Sequence, residues 1–220
     1  ADPAQVRSVA SLIPGARLVT LDGDVDVSYW DPEQFIDIVY DFLGIGSETQ
    51  AAALASGTAI ILFTDIAGST SLTERIGDAA FRDASRQLDA KLRTAVTDAG
   101  GSAVEGKLLG DGVMAIFASA RQAIDAALAC GALSTESELP LHIGLHAGDV
   151  IREDGNVYGG AVNIASRICG ASTPGEILVS DVVRALARTS SDVEFEDRGE
   201  HAMKGIAEPQ RLYAVRARAS

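Results

Sequence analysis

The sequence predicts an α+β fold, a βαββαβ core with additional strands and helices. From residue 58 onward, apolar runs of strand length alternate with segments of helical periodicity. Glycine-containing turns separate these segments, as at Gly100-Gly101 and around Asp111. Such an order places helices against a sheet, and 220 residues are enough for one substantial core and a smaller appendage.

The elements follow in chain order from periodicity and capping residues. A buried strand over 58–66 is followed by a short helix from Ser69 and by a longer amphipathic helix over 78–99, which Gly100-Gly101 ends. The remaining predicted elements are a hairpin around Asp111, a helix over 120–133, a strand over 142–151, a helix around Asn163, a strand over 177–179, a helix over 181–187, and strands over 193–197 and 211–215.

Asp65 lies near the end of an apolar run and is followed by small residues, in Ile60-Ile61-Leu62-Phe63-Thr64-Asp65-Ile66-Ala67-Gly68-Ser69-Thr70. The predicted strand places the Asp65 carboxylate at the C-terminal end of the strand. The backbone N–H groups of Gly68, Ser69 and Thr70, where a helix opens, can face phosphate oxygens. This pattern predicts a site for a metal-bound phosphate. The alternative is that Asp65 is only a helix cap.

Asp111 repeats this arrangement in a glycine-flanked turn between two apolar strands, in Lys107-Leu108-Leu109-Gly110-Asp111-Gly112-Val113-Met114-Ala115-Ile116-Phe117. Two such aspartates suggest a site for two divalent cations, Mg²⁺ or Mn²⁺. These cations prefer oxygen ligands and are typically held by one or two carboxylates plus substrate phosphates. The alternative is that Asp111 is only a turn residue. This alternative is disfavoured because both aspartates occur together with further motifs downstream.

Asn163 and Arg167 are spaced i,i+4 in Tyr158-Gly159-Gly160-Ala161-Val162-Asn163-Ile164-Ala165-Ser166-Arg167, so they project from one helical face. The buried side of this helix is predicted to hold Val162, Ile164 and Ile168. An amide and a guanidinium on one face can reach the same anion. Near the C-terminus, Lys204 stands beside a glycine in Met203-Lys204-Gly205-Ile206, where the alternative is an ordinary solvated lysine.

These motifs, in this order, resemble the catalytic domain of the class III nucleotidyl cyclases, the adenylyl and guanylyl cyclases. The resemblance covers about residues 59–214 and implies a ferredoxin-like core. By position, Asp65 and Asp111 are similar to the two metal-binding aspartates of the family, and the Ile66 carbonyl to an additional ligand.

The remaining motif residues resemble those that bind the nucleotide in this family. Asn163 and Arg167 match the transition-state pair, Lys204 the lysine for the terminal phosphates, and Lys107 the base-selecting lysine. In the family, one subunit supplies the metal ligands and its partner supplies the other residues. The resemblance therefore implies a homodimer with shared active sites, which converts ATP to 3′,5′-cyclic AMP and pyrophosphate.

The choice of base rests on hydrogen-bond chemistry at two positions. Lys107 can only donate, which suits the adenine N1 acceptor, whereas guanylyl cyclases of this family typically carry glutamate there. Adenylyl cyclases usually pair this lysine with an aspartate, but the matching residue here is Asn156. Its carbonyl can accept from adenine N6, and its amide can donate to guanine O6. ATP is the expected substrate with residual GTP turnover, and the alternative is a guanylyl or relaxed-specificity cyclase.

Two further functions compete with this interpretation. A diguanylate-type nucleotidyl transferase would share the topology, but the chain lacks the Gly-Gly-Asp/Glu-Glu-Phe turn of those enzymes. A catalytically weak regulatory module that binds nucleotide is the other alternative. Loss of a metal aspartate would favour such a module, and both aspartates are present.

Composition excludes other classes. A net charge of −13 argues against nucleic acid as a partner, and no apolar run reaches membrane-spanning length, so a soluble, cytoplasmic protein is expected. Cys130 and Cys169 lie in apolar helical patterns and are predicted to be core residues. His142 and His146 alternate along one face of a strand and are predicted to be structural.

Three regions are predicted: an N-terminal strand–helix segment (1–46), a linker (47–57) and the cyclase catalytic domain (58–220). The N-terminal segment faintly resembles the last strand and helix of an α/β-hydrolase domain. No Gly-x-Ser-x-Gly nucleophile elbow occurs in the chain, so a hydrolase reaction is not expected.

Overall fold

The computed structural model describes residues 56–104, 112–137, 139–153 and 155–218. The predicted segment 1–46 and most of the predicted linker lie outside these residues, and so do Lys107 and Asp111. Within the described residues, eight strands form one sheet: β1 (Ser56–Ile66), β2 (Ser102–Ala103), β3 (Met114–Phe117), β4 (Leu141–Glu153), β5 (Asn156–Tyr158), β6 (Ile177–Ser180), β7 (Val193–His201) and β8 (Gln210–Ala217).

The sheet confirms the predicted βαββαβ core. Its strand order is β2-β3-β1-β4-β6-β8-β7, and β5 pairs with β4 beside this path. The first four strands in that order are antiparallel neighbours, and β1 pairs with β4 along its whole length, from Ser56 opposite Ile151 to Ile66 opposite Leu141. β6 is parallel to β4, so the chain between them must cross over the sheet.

The helices cover both faces of the sheet. In the described residues they are α1 (Ser69–Ile76), α2 (Asp78–Asp98), α3 (Ala120–Ser137), α4 (Gly160–Ala171) and α5 (Asp181–Ala187). The main core packs α2, α3 and α5 against one sheet face, where α2 buries Phe81, Leu88, Leu92 and Val96. Two smaller clusters bury α4 on the opposite face. The face of β1 that carries Ala59, Ile61 and Phe63 therefore lies under α4.

Several element bounds differ from the predictions. The three-residue strand β5 and the two-residue strand β2 were not predicted, because runs this short carry no periodicity of their own. Helix α3 continues to Ser137, beyond the predicted end at residue 133. β7 runs to His201 rather than stopping at Asp197, since a register shift between Asp197 and Gly199 lets the strand continue.

Among the described helices, none is both long and apolar enough to cross a membrane.

Candidate active site

Asp65 is the penultimate residue of β1 and has an exposed side chain. Strand alternation places it on the sheet face of Ala59, Ile61 and Phe63, the face that α4 covers. β1 ends at Ile66, and the Ala67 N–H donates to the Pro140 carbonyl at 2.7 Å. Gly68 then takes the left-handed conformation (φ 63°, ψ 34°) and is the N-cap of α1. The N-cap position of α1 is therefore occupied by Gly68 and not by Asp65.

The first turn of α1 contains no acidic residue, and its open N–H groups belong to the Gly68-Ser69-Thr70 segment. A helix N-terminus of this kind attracts anions through its N–H groups and its dipole. The geometry is therefore compatible with the predicted phosphate contact, directly after the Asp65 carboxylate.

Gly112, which follows Asp111 in the sequence, packs against the end of β1. A Cβ on Gly112 would lie 1.9 Å from the Thr64 carbonyl oxygen and 3.2 Å from the Asp65 Cα, so a larger residue cannot fit there without displacement. The described part of the Asp111 motif, which begins at Gly112, thus contacts the Asp65 motif at the end of β1.

Asn163 and Arg167, which were predicted to share one helical face, both lie on helix α4 and are exposed. Its buried residues are Ala161, Ala165, Ile168 and Cys169. The prediction for the buried side is correct for Ile168, but Val162 and Ile164 are only half-buried. The reason is close packing: a small-residue stripe faces the sheet, and the bulkier side chains occupy the helix flanks.

Asn156 and Asn163 line one cavity of about 480 Å³, although they lie on β5 and α4. Phe63, Val104, Met114 and Val157 supply its apolar surface. Neither Arg167 nor Lys204 is among the described residues that line it. Phe63 and Ser166 also line this cavity, although neither was predicted as a site residue. Phe63 could have been found from strand alternation, since it lies two residues before Asp65 on the same face.

Lys204 is exposed in the loop between β7 and β8. The preceding residue, Met203, is buried in the cluster that contains Ile168 of α4, and the Ile206 N–H donates to the Met203 carbonyl at 3.1 Å. This turn therefore holds Lys204 beside the cluster that also contains Ile168, the residue after Arg167.

The two histidines of β4 have hydrogen-bond partners. His142 Nδ1 lies 2.7 Å from the Ser172 carbonyl oxygen, and His146 Nδ1 lies 2.9 Å from Ser180 Oγ. Burial lowers the pKa of His146 below its ordinary value. These contacts confirm the structural roles predicted for both histidines.

The two cysteines are buried free thiols, as predicted. Burial raises the pKa of Cys130 to about 12 and that of Cys169 to about 12. The negative charge of Asp65 also raises the pKa of Cys169. Both thiols stay protonated and act as apolar core groups.

The donor set at the end of β1 fits a hard divalent cation. Asp65 offers an exposed carboxylate, and such cations take oxygen ligands, often one or two carboxylates with phosphates and water completing the shell. In the described part of the chain, no three His, Cys, Asp or Glu side chains cluster as a self-sufficient metal cage.

The chain is similar to known cyclase domains. The family model described as "Adenylate and Guanylate cyclase catalytic domain" matches residues 52–217. A protein of Rhizobium meliloti named putative adenylate cyclase 3 is 33% identical over 115 residues, which are 49% of this chain and 20% of that protein. The match thus spans about a fifth of this relative's length.

Solved structures share the fold over most of the chain. The adenylate/guanylate cyclase/hydrolase from Silicibacter pomeroyi is 31% identical with a TM-score of 0.62, covering 74% of this chain and 99% of that one. The adenylyl cyclase CyaB from P. aeruginosa has a TM-score of 0.64 at 24% identity and covers 74% of this chain and 96% of that one.

Proposed function

The chain belongs to the family of adenylate and guanylate cyclase catalytic domains, and we propose that it is an adenylyl cyclase that converts ATP to 3′,5′-cyclic AMP and pyrophosphate. The observation that carries this proposal is the shared cavity of Asn156 and Asn163. Its volume of about 480 Å³ lies within the range of small-molecule sites. Its apolar surface suits a purine ring, and the two amides suit the base edge and the ribose.

The metal site would be formed by Asp65, Asp111 and the Ile66 carbonyl. Bound Mg²⁺ or Mn²⁺ would supply Lewis-acid activation of the ribose hydroxyl and charge neutralisation of the triphosphate. The N–H groups of residues 68–70 would hold phosphate oxygens beside Asp65. Lys204 would bind the terminal phosphates.

The reaction is an intramolecular displacement. The ribose 3′ oxygen bonds to the α-phosphorus, the bond from that phosphorus to the bridging oxygen breaks, and pyrophosphate leaves. Asn163 would hold the ribose so that its hydroxyl lies in line, and Arg167 would meet the charge that develops on the transferred phosphoryl group. Asp65, a water molecule and the substrate phosphate are the candidate acceptors of the hydroxyl proton.

The proposed enzyme is a homodimer whose active sites are shared between subunits. A pair of exposed apolar residues supports this assembly: Ile151 is 57% and Tyr158 45% exposed, and the two are cross-strand partners on β4 and β5. Tyr158 also lines the cavity, so a second subunit that covers this pair would lie at the rim of the nucleotide site.

A second candidate function, a cyclase of relaxed specificity that also accepts GTP, is favoured by Asn156. Its amide can present either an acceptor or a donor to the base, whereas an aspartate can only accept. Lys107 would favour adenine, since it donates to N1.

The proposal is tested by incubating purified protein with ATP or GTP and either Mg²⁺ or Mn²⁺, and identifying the product by mass. Cyclic AMP as the main product is the expected result. Comparable amounts of cyclic AMP and cyclic GMP would support the second candidate, and an excess of cyclic GMP would overturn the assignment of ATP as the substrate. No cyclic product from a folded dimer would contradict both candidates.

We also propose that residues 1–46 form a separate segment without hydrolase activity.

A further inference from the structure

Thr64 connects the strand that carries Asp65 to the start of β3. Its side chain is 2% exposed. The Thr64 N–H donates to the Val113 carbonyl at 2.9 Å, and the Val113 N–H donates to Thr64 Oγ1 at 3.0 Å. The hydroxyl in turn donates to the Val113 carbonyl at 3.4 Å. One buried hydroxyl therefore adds two hydrogen bonds where the β1–β3 ladder ends at Phe63 and Met114.

The hydroxyl takes a place that a regular ladder gives to a carbonyl. Thr64 and Val113 face each other as a hydrogen-bonded pair, since the Thr64 N–H bonds the Val113 carbonyl. In a regular antiparallel ladder such a pair exchanges both N–H···O=C bonds, so the Val113 N–H would bond the Thr64 carbonyl. Here that N–H bonds the hydroxyl, and the Thr64 carbonyl faces Gly112 within the space a Cβ would need. The Thr64 side chain thus sets how residues 112 and 113 approach the end of β1.

We propose that Thr64 is a positioning residue of the metal site, holding the segment that begins at Gly112 against the backbone of Asp65. This inference rests on the proposed function. Mg²⁺ demands near-ideal octahedral geometry. The site therefore tolerates little change in the position of the Asp65 carboxylate. Residues that orient metal ligands without touching the metal typically change affinity by about 10- to 100-fold when replaced.

The test compares Thr64→Val, which keeps the shape and removes the hydroxyl, with Thr64→Ser, which retains it. Mn²⁺ is titrated by electron paramagnetic resonance in the presence of 3′-deoxy-ATP, which cannot cyclise. Thr64→Val should bind Mn²⁺ about tenfold or more weakly, and Thr64→Ser within about threefold of the unmodified protein. The matched control is Thr58→Val on the same strand, where an exposed hydroxyl donates to Asp149 at 2.7 Å. That control should leave Mn²⁺ binding unchanged.

Mixing variants adds a readout that a merely structural role would not move. In a mixture of Thr64→Val and Arg167→Ala chains, one composite site combines an intact metal half with an intact nucleotide half. Its Mn²⁺ dependence should equal that of the unmodified enzyme. In a mixture of Thr64→Val and Asp65→Ala chains, the active site must use the altered metal half, so the weakened Mn²⁺ dependence should persist.

The outcomes separate this inference from the proposed function. An unmodified dimer without cyclase activity contradicts the proposed function. An active unmodified enzyme with unchanged Mn²⁺ affinity in folded Thr64→Val overturns the positioning role, even if its thermal midpoint falls. Should Thr64→Val not fold, Gly112→Ala decides, because it forces the same contact apart. Unchanged Mn²⁺ binding in that variant likewise overturns the proposal.

Discussion

Gly144 of β4 and Cys169 of α4 approach each other so closely that a Cβ on Gly144 would lie 2.1 Å from the Cys169 backbone nitrogen. The Cys169 thiol also donates to the His142 carbonyl at 3.4 Å, two residues earlier on the same strand. Helix α4 therefore rests on the backbone of β4 at this point. Because α4 carries Asn163 and Arg167, this contact fixes how far both side chains stand above the sheet.

Gly144→Ala should destabilise the fold, because the added methyl group meets backbone atoms that cannot rotate away. We expect a loss of about 1–3 kcal/mol in the free energy of unfolding, measured by urea denaturation. The matched control is Gly170→Ala on the exposed side of α4, where a Cβ meets nothing within 4 Å. That change should stabilise the protein by about 0.5–1 kcal/mol, since alanine is the better helix former. Equal stability of Gly144→Ala and the unmodified protein would show that the helix can shift freely.

The main strands and helices could be predicted because their periodicity is local. The predicted helix over 78–99 matches α2, and the predicted strand over 58–66 falls within β1. The small-residue contact at Gly144 could not be predicted, since it joins residues distant in sequence. The same holds for β5, whose three residues form a strand only because β4 extends beside them.

The candidate site was predicted residue by residue and not as a surface. Asp65 could be singled out from its place near the end of an apolar run, and Asn163 and Arg167 from their i,i+4 spacing, because both patterns are local. The cavity that joins Asn156 to Asn163 depends on how β5 and α4 pack, which the sequence does not state. Phe63 and Ser166 were missed for the same reason: apolar or small residues signal burial equally well at a core position and at a binding surface.

Chains that carry Asp65→Ala or Arg167→Ala should each be inactive but recover part of their activity when mixed. If the site is shared, one composite site in the mixed dimer then has both an intact metal half and an intact nucleotide half. Cyclic AMP formation measured across mixing ratios should peak near equal amounts. A control mixture of Asp65→Ala with Asp149→Ala tests whether mixing itself changes activity. Asp149 is an exposed carboxylate at the other end of the β1–β4 pairing. No recovery in dimers confirmed by sedimentation would contradict the shared site.

Asn156→Asp should sharpen the preference for ATP over GTP. A carboxylate can accept from adenine N6 but cannot donate to guanine O6, so GTP loses a partner and meets a repulsive charge. We expect the ratio of kcat/KM values for the two substrates to rise roughly tenfold, as for the loss of one hydrogen bond of about 1.4 kcal/mol. Asn163→Asp is the control, because a change beside the ribose should lower both activities alike. An unchanged ratio in Asn156→Asp would remove this residue from base selection.

Stability should fall as the pH drops below about 6.5, because His146 is buried beneath α4 in its neutral form. Its pKa in the folded protein is lowered from 6.5 by burial. Between that lowered pKa and 6.5, the unfolded chain binds a proton that the folded chain does not. The free energy of unfolding therefore rises with pH in this window and falls on acidification. One proton gives a slope of at most about 1.4 kcal/mol per pH unit.

His146→Gln should flatten this dependence, since glutamine does not titrate and its amide can still reach Ser180 Oγ. Urea unfolding between about pH 5 and 7.5 measures both slopes, in the range where histidine linkage acts. His201→Gln, which changes a half-buried histidine of β7 and leaves His146 in place, should retain the slope of the unmodified protein. If His146→Gln retains that slope as well, the acid sensitivity arises from other groups, and the His146–Ser180 contact joins β4 to β6 independently of pH.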